Sequence, residues 1–295
     1  MSLLTPDFVR ELEILHRRLE IGARSGAYGV RAARRLGSSA EFEEHRPYAP
    51  GVDPRHIDWL AFARTGTPVL KAFRAEEDAI VRLLLDASAS LGFGSPPKLA
   101  SAKRFAAAVG YLALRGSRRA QVVVAQQRGD APRPLASVGT PRRGRDGLHG
   151  LLNELDASSA EGRGDLARAV EQTVVSAKKP GLLVVLSDFL DAGPVTSALD
   201  RARAAGHEVA LVQVLASEEL EPTLEGDLAL VDSETGQSVE VTADAAALEA
   251  YALRLSALIE QLRVWCRRQG APYTRVTSGE ALDPPLRRFV ARDVD

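Results

Sequence analysis

Asp86, Ser88 and Ser90 stand at alternate positions directly after the apolar run Ala79-Ile-Val-Arg-Leu-Leu-Leu. One carboxylate and two hydroxyls at this spacing can aim their oxygens at a common point. A hard cation such as Mg2+ takes ligands of this kind, with water completing its octahedron. An ion held by so little negative charge stays electrophilic. It can accept a carboxylate from another protein, which is binding, or polarise a substrate oxygen, which is catalysis. The same residues would also serve as a helix N-cap, because Asp and Ser satisfy the unpaired N–H groups of a first turn. Further along, Gly181-Leu-Leu-Val-Val-Leu ends in Ser187-Asp188 and repeats the arrangement, so Asp188 is either a second acid for the same centre or a second cap.

Both runs have the continuous Ile, Val and Leu content of parallel strands covered on two faces, and ligands of open α/β sheets lie beyond the carboxyl ends of such strands. The elements around them fit that architecture. Helical spacing is predicted after Thr5-Pro6, with Phe8, Leu12, Leu15 and Leu19 on one face, and again over Lys98 to Arg115, Leu148 to Leu155, Val195 to Ala205, Leu248 to Trp265 and Leu282 to Val290. Strands are predicted at Ala120 to Ala125, Glu208 to Leu215 and Tyr273 to Thr277, with a short edge strand at Pro134 to Val138. Leu228 to Asp232 and Ser238 to Thr242 flank a Glu234-Thr-Gly turn as a hairpin excursion. Strands separated by helices imply a doubly wound, mostly parallel α/β sheet with helices on both faces.

Composition narrows the function classes. The chain has 295 residues, a net charge of -1 and 26% charged residues, a balance that does not draw it to nucleic acid or an anionic membrane. Its single cysteine, Cys266, excludes an internal disulfide, and its position beside an apolar helical stripe suits a buried inert thiol. The five histidines are scattered. No apolar stretch approaches the ~20 residues that span a bilayer, and the start lacks the order of a signal peptide, so no membrane insertion and a cytoplasmic location are expected. The two Arg-Gly-Asp tripeptides, at Arg128 and Arg163, read as loop coincidences.

Between the first helix and the first strand the sequence changes character. Glu41-Phe42, Arg46-Pro47-Tyr48, Pro50-Gly51-Val52-Asp53, Arg55-His56-Ile57-Asp58-Trp59, Ala63-Arg64 and Lys71-Ala72-Phe73-Arg74-Ala75-Glu76 follow one another, with neither a helical nor a strand period. In that order, and ahead of Asp-x-Ser-x-Ser, they closely resemble the signature of the bacterial domain-of-unknown-function 58 family. The Asp-x-Ser-x-Ser turn itself resembles the metal-ion-dependent adhesion site of von Willebrand factor A-type domains. The resemblance spans essentially the whole chain. It implies a von Willebrand factor A-like domain over residues 76–295, preceded by a family-specific helix and signature segment over 1–75.

The resemblance also implies a centre of Asp86, Ser88, Ser90, Asp188 and Asp165 holding Mg2+, or Mn2+ or Ca2+, with Asp188 acting through water. Two departures stand out. Val52 replaces an aspartate of the signature. Gly164, in Gly162-Arg163-Gly164-Asp165-Leu166, replaces a threonine ligand, which lowers the expected metal affinity unless Asp165 or water takes its place. Family members are often encoded with MoxR-type AAA+ ATPases, so the resemblance implies a non-enzymatic adaptor whose partner supplies a carboxylate. Arg46, Asp58, Trp59 and Arg64 are the first candidates for a partner-binding surface in the signature segment, the alternative being a charge-laced cover of the following domain. The rival functions are a metal-dependent phosphoesterase with Asp86 as nucleophile, although Ser88 stands where such an enzyme wants a second aspartate, and a scaffold with a vestigial site.

Overall fold

Thr5 Oγ1 accepts the Phe8 N–H at 3.3 Å and Pro6 follows where its missing N–H costs nothing, so helix α1 (Pro6–Arg24) starts there. Its apolar stripe of Phe8, Leu12, Leu15 and Leu19 is buried. The computed structural model describes residues 2–24, 42–47, 58–73, 79–116, 118–127, 135–190 and 192–292. Of the signature residues, Glu41, Tyr48, Asp53, Arg55 and Glu76 lie outside these, as does the side chain of Arg46.

The chain forms two compact units, residues 38–79 and residues 1–37 with 80–295. Helix α1 belongs with the larger unit because its stripe joins that unit's core. In the smaller unit, β1 (Phe42–Pro47) pairs antiparallel with β2 (Val69–Phe73), from Pro47 opposite Val69 to Phe42 opposite Phe73, and α2 (Trp59–Thr65) lies between them in sequence. No strand period marks β1. Its pairing is long-range, and Asp58 helps to set the return: its N–H donates to the Val69 carbonyl at 2.8 Å and its carboxylate accepts the Ala61 N–H at 3.1 Å.

The larger unit continues in chain order as β3 (Ile80–Asp86), a 3-10 turn (Ala89–Gly92), α3 (Lys98–Arg115), β4 (Arg119–Gln126), β5 (Leu135–Val138), α4 (Gly144–Asp156), α5 (Leu166–Ser176), β6 (Leu182–Ser187), α6 (Ala192–Ala204) and β7 (Glu208–Leu215). Then follow α7 (Ser217–Leu220), β8 (Gly226–Val231), β9 (Ser238–Ala243), α8 (Ala245–Gln269), β10 (Tyr273–Thr277) and α9 (Asp283–Ala291). Six strands form one sheet in the order β10-β7-β6-β3-β4-β5, parallel throughout except for the edge strand β5. The β8–β9 hairpin stands outside this sheet, as the sequence predicts. Among the described residues no helix is long and apolar enough to cross a membrane.

Side chains of successive strand residues point to opposite faces, and both faces are covered. Leu83 and Leu85 of β3 with Val184 and Leu186 of β6 join Leu12, Phe105, Leu151 and Phe289 from α1, α3, α4 and α9. Leu84, Leu183 and Val185 join Val170, Leu199 and Leu262 from α5, α6 and α8. Register carries this layering to the site. Val81 pairs with Leu182 and Leu85 with Leu186, so β3 and β6 end side by side in Asp86 and Ser187.

The register begins at Gly181, where a Cβ would overlap the Ile80 carbonyl oxygen and lie 2.7 Å from Ile80 Cγ2. The backbone at that point cannot withdraw without shifting the β3–β6 ladder. Gly181→Ala is expected to destabilise the fold by about 1–3 kcal/mol, as overpacking does, and urea unfolding of the variant beside the parent measures it.

Candidate functional site

Three chain reversals meet at the carboxyl end of the sheet. The first, Ala87 to Ser90, is pinned by backbone hydrogen bonds: Ala87 N–H to the Ala125 carbonyl at 2.9 Å and Ala89 N–H to the Gly162 carbonyl at 3.0 Å. The second, Glu161 to Asp165, is tied to it by Glu161 N–H on the Ala87 carbonyl at 3.1 Å and to the end of β4 by Gln127 N–H on the Arg163 carbonyl at 3.1 Å. The third follows β6. Its turn passes through Phe189, buried at φ 54°, a left-handed conformation that costs energy for a residue of this size.

Asp86 lies at the centre and is buried. Its Oδ1 accepts the Ser88 N–H at 3.0 Å and its Oδ2 accepts the Ser187 hydroxyl at 2.6 Å. Ser187 is aimed by the Phe189 N–H, which donates to its Oγ at 3.1 Å. The hydroxyls of Ser88 and Ser90 lie 3.0 Å apart. Burial pushes the Asp86 carboxyl up, the charge of nearby Asp188 pushes it further, and the bonds from Ser187 and Ser88 only partly oppose this, so that it titrates at about 6. The sequence-predicted Asp86, Ser88, Ser90 and Asp188 are thus brought together.

Asp188 is also buried, and it already has a cation. Lys98 Nζ donates to Asp188 Oδ2 at 2.8 Å and to Glu219 Oε1 at 2.6 Å, with its side chain fully buried. Glu219 is fixed in turn by the Ala216 N–H on its Oε2 at 2.8 Å. Below Asp188, Gln213 Nε2 donates to its backbone carbonyl at 2.9 Å, and the Tyr273 hydroxyl donates to Gln213 Oε1 at 2.6 Å. Sequence reasoning passed over Lys98, Glu219, Gln213 and Tyr273. Lys98 did carry a signal: a lysine opening an otherwise apolar helix sits at the positive end of the helix dipole and calls for acidic partners.

Asp165 is a helix cap as well as a residue of the cleft. Its Oδ1 accepts the Arg168 N–H at 3.0 Å and caps α5, while its carboxylate remains on the wall of the cleft. Gly164 sits tightly against the first reversal. A Cβ there would lie 2.9 Å from Ser88 Cβ and 3.4 Å from Asp86 Oδ1, so the loop has closed into the space a threonine would need. Of the four candidates in the smaller unit, Asp58 is buried as the cap of α2; Trp59 is exposed and meets Phe62 edge to face at 6.1 Å; Arg64 is exposed. Arg46 lies in β1 with its side chain outside the described residues.

The three reversals wall an open cleft of about 1230 Å³. Among the described residues no three His, Cys, Asp or Glu side chains are grouped as metal ligands. Asp86 with the Ser88 and Ser90 hydroxyls remains as a set of hard oxygen donors, while the Lys98 ammonium is taken by Asp188 and Glu219. A divalent cation of the Mg2+ type fits the chemistry of that donor set.

The family described as "Protein of unknown function DUF58" matches residues 44–257. The chain belongs to the DUF58 family. This DUF58 chain is 32% identical over 262 residues to the uncharacterized protein Rv1480 of Mycobacterium tuberculosis, covering 86% of the chain and 80% of that protein. It is 33% identical over 129 residues to the uncharacterized protein MAV169 of Mycobacterium avium, covering 43% and 75%. A solved structure similar to it is the conserved hypothetical protein BatB from Bacteroides thetaiotaomicron, with a TM-score of 0.43 and 14% identity over 72% of this chain and 98% of that one.

Two outcomes follow for the DUF58 chain in chelator. Because the Asp86 carboxyl rises from 3.8 to about 6 on folding, the folded chain holds an extra proton between those values, and the stability this contributes is present below about pH 4 and lost as pH rises through 6. Relative to Asp86→Asn, the parent should lose roughly 3 kcal/mol between pH 4 and 7; a pH-independent difference in urea unfolding would contradict it. Lys98→Met leaves Asp188 and Glu219 without their cation and should cost about 3–5 kcal/mol in the same assay at pH 7.

Proposed function

We propose that this chain is a von Willebrand factor A-like, non-enzymatic interaction module whose cleft receives a carboxylate from a partner protein. Asp86, Ser88 and Ser90 would hold a divalent cation, Mg2+ or Mn2+, with Asp188 reached through water, and the ion would supply an electrophilic point for the partner's acid. The single observation that carries this reading is the 2.6 Å bond from Ser187 to Asp86, with Asp188 close enough to raise that carboxyl. It joins the ends of β3 and β6 into one oxygen-lined hollow. The chain's own residues do the preparation: Ser88 N–H and Ser187 orient Asp86, and Lys98 holds Asp188 in place.

The resemblance to the DUF58 signature supports a MoxR-type AAA+ ATPase as the partner, with the chain as its adaptor in protein assembly or remodelling, in the cytoplasm. A second reading has its own support. Lys98 already neutralises Asp188, and Gly164 closes on Asp86 where a threonine ligand is expected. On that reading the lysine is the built-in cation and the chain is a scaffold.

Calorimetric titration separates them. Mn2+ or Mg2+ should bind the parent, and Asp86→Ala should weaken binding by at least about tenfold, the minimum loss when an outer-sphere partner alone is removed. No heat in a folded sample would favour the scaffold. Capture of an ATPase from the native cell only with divalent metal present would support the adaptor role. Phosphoester turnover that vanishes in Asp86→Ala would replace both readings with an enzyme.

A further inference from the structure

The Asp232-Ser-Glu-Thr-Gly236 turn joins β8 to β9, far from the cleft in sequence, yet Asp232 and Glu234 line it together with Asp86 and Ser88. The turn is set from within. Asp232 Oδ1 accepts the N–H groups of Glu234 and Thr235 at 2.8 and 3.3 Å, and its Oδ2 accepts the Thr235 hydroxyl at 2.7 Å. Gly236 at φ 71° completes the reversal, with its N–H on the Asp232 carbonyl at 2.8 Å. So built, the turn delivers Glu234 to the second reversal of the site: Gly164 N–H donates to Glu234 Oε2 at 3.3 Å, and Arg163 Nε donates to the Glu234 carbonyl at 3.4 Å.

Gly164 is the residue that leans on Asp86 and Ser88, so the Glu234 carboxylate lies only one residue's thickness from them. Glu234 is half-buried and Asp232 exposed, so repulsion among these acids is screened in part, and Arg163 and Lys98 line the same cleft. The contacts that bring Glu234 there are long, and the order of its turn comes from Asp232. The hairpin behind it also has little to hold it down. Leu230, Val231 and Val239 are 46%, 66% and 62% exposed, and both strands lie outside the main sheet. An element with few buried apolar contacts opens at low cost.

We propose that Glu234 is an internal occupant of the cleft, standing where the carboxylate of a partner would bind, and that the β8–β9 hairpin must lift before an acidic segment of another protein enters. This rests on the cation-holding reading of Asp86, Ser88 and Ser90. The partner chemistry it implies is an acidic turn that presents its carboxylate as Asp232-Ser-Glu234 does.

The 295-residue chain and its Glu234→Gln, Glu240→Gln and Asp86→Asn variants are titrated with Mn2+, and glutarate is added as a carboxylate probe. Binding is read from the proton relaxation that protein-bound Mn2+ imposes on glutarate. Glu240→Gln removes the same charge from an exposed position on β9. Glu234→Gln should bind glutarate at least about fivefold more tightly than the parent, the lower end of ordinary coupling between sites, whereas Glu240→Gln should match the parent. If Mn2+ binds in an Asp86-dependent way but Glu234→Gln and the parent take glutarate alike, internal occupancy is overturned and the cation reading stands. An equal gain in Glu240→Gln makes the effect one of general charge and overturns it too. Mn2+ binding untouched by Asp86→Asn removes the cation reading and this proposal together.

Discussion

The wholly buried Lys98 ammonium between Asp188 and Glu219 is the interaction on which the cleft depends. Two carboxylates and an ammonium held out of water carry a desolvation cost that only close, well-directed contacts offset, and here the separations are 2.8 and 2.6 Å. These contacts tie together the start of α3, the end of β6 and the short helix α7 at the carboxyl end of the sheet. They also divide the labour of the acids. Asp188 and Glu219 share the lysine, while Asp86 has only hydrogen bonds to neutral groups and its buried carboxyl keeps a raised affinity for protons.

The legible parts of this chain were those that local pattern writes. β3 and β6 are buried on both faces, so they appear as unbroken aliphatic runs, and the residues that end them are where chemistry in an open α/β sheet belongs. The long helices show their period, and α3 runs over Lys98–Arg115 as its composition predicts. What local pattern cannot write is which distant side chain completes a site. Lys98 and Asp188 are 90 positions apart, and Gln213 and Tyr273 are 60 apart. Strand β1 was invisible for the same reason, because its partner β2 lies beyond α2 and the mixed charges of Glu43 to Arg46 carry no period.

Carboxylates named from motif alone proved divisible by geometry. Asp58 and Asp165 both receive a backbone N–H three residues on and open helices, the commonest structural use of an aspartate at such a place. Asp86 and Asp188 also accept backbone N–H groups, but each is engaged by a side chain from a distant element as well. In the Gly162–Asp165 loop the absence of a side chain at Gly164 lets backbone approach Asp86, so the residue at this position sets the shape of the cleft.

The hydrogen-bonded chain from Tyr273 through Gln213 to the Asp188 carbonyl reaches outside the stretch that defines the family, which ends at residue 257. Strand β10 supplies the phenol, at the far edge of the sheet. A protein cut at the family boundary would therefore retain every acid and hydroxyl of the cleft and lose its footing: the floor under Asp188 would have an amide with nothing to steer it. The tail is to this cleft what a keystone's abutment is to an arch.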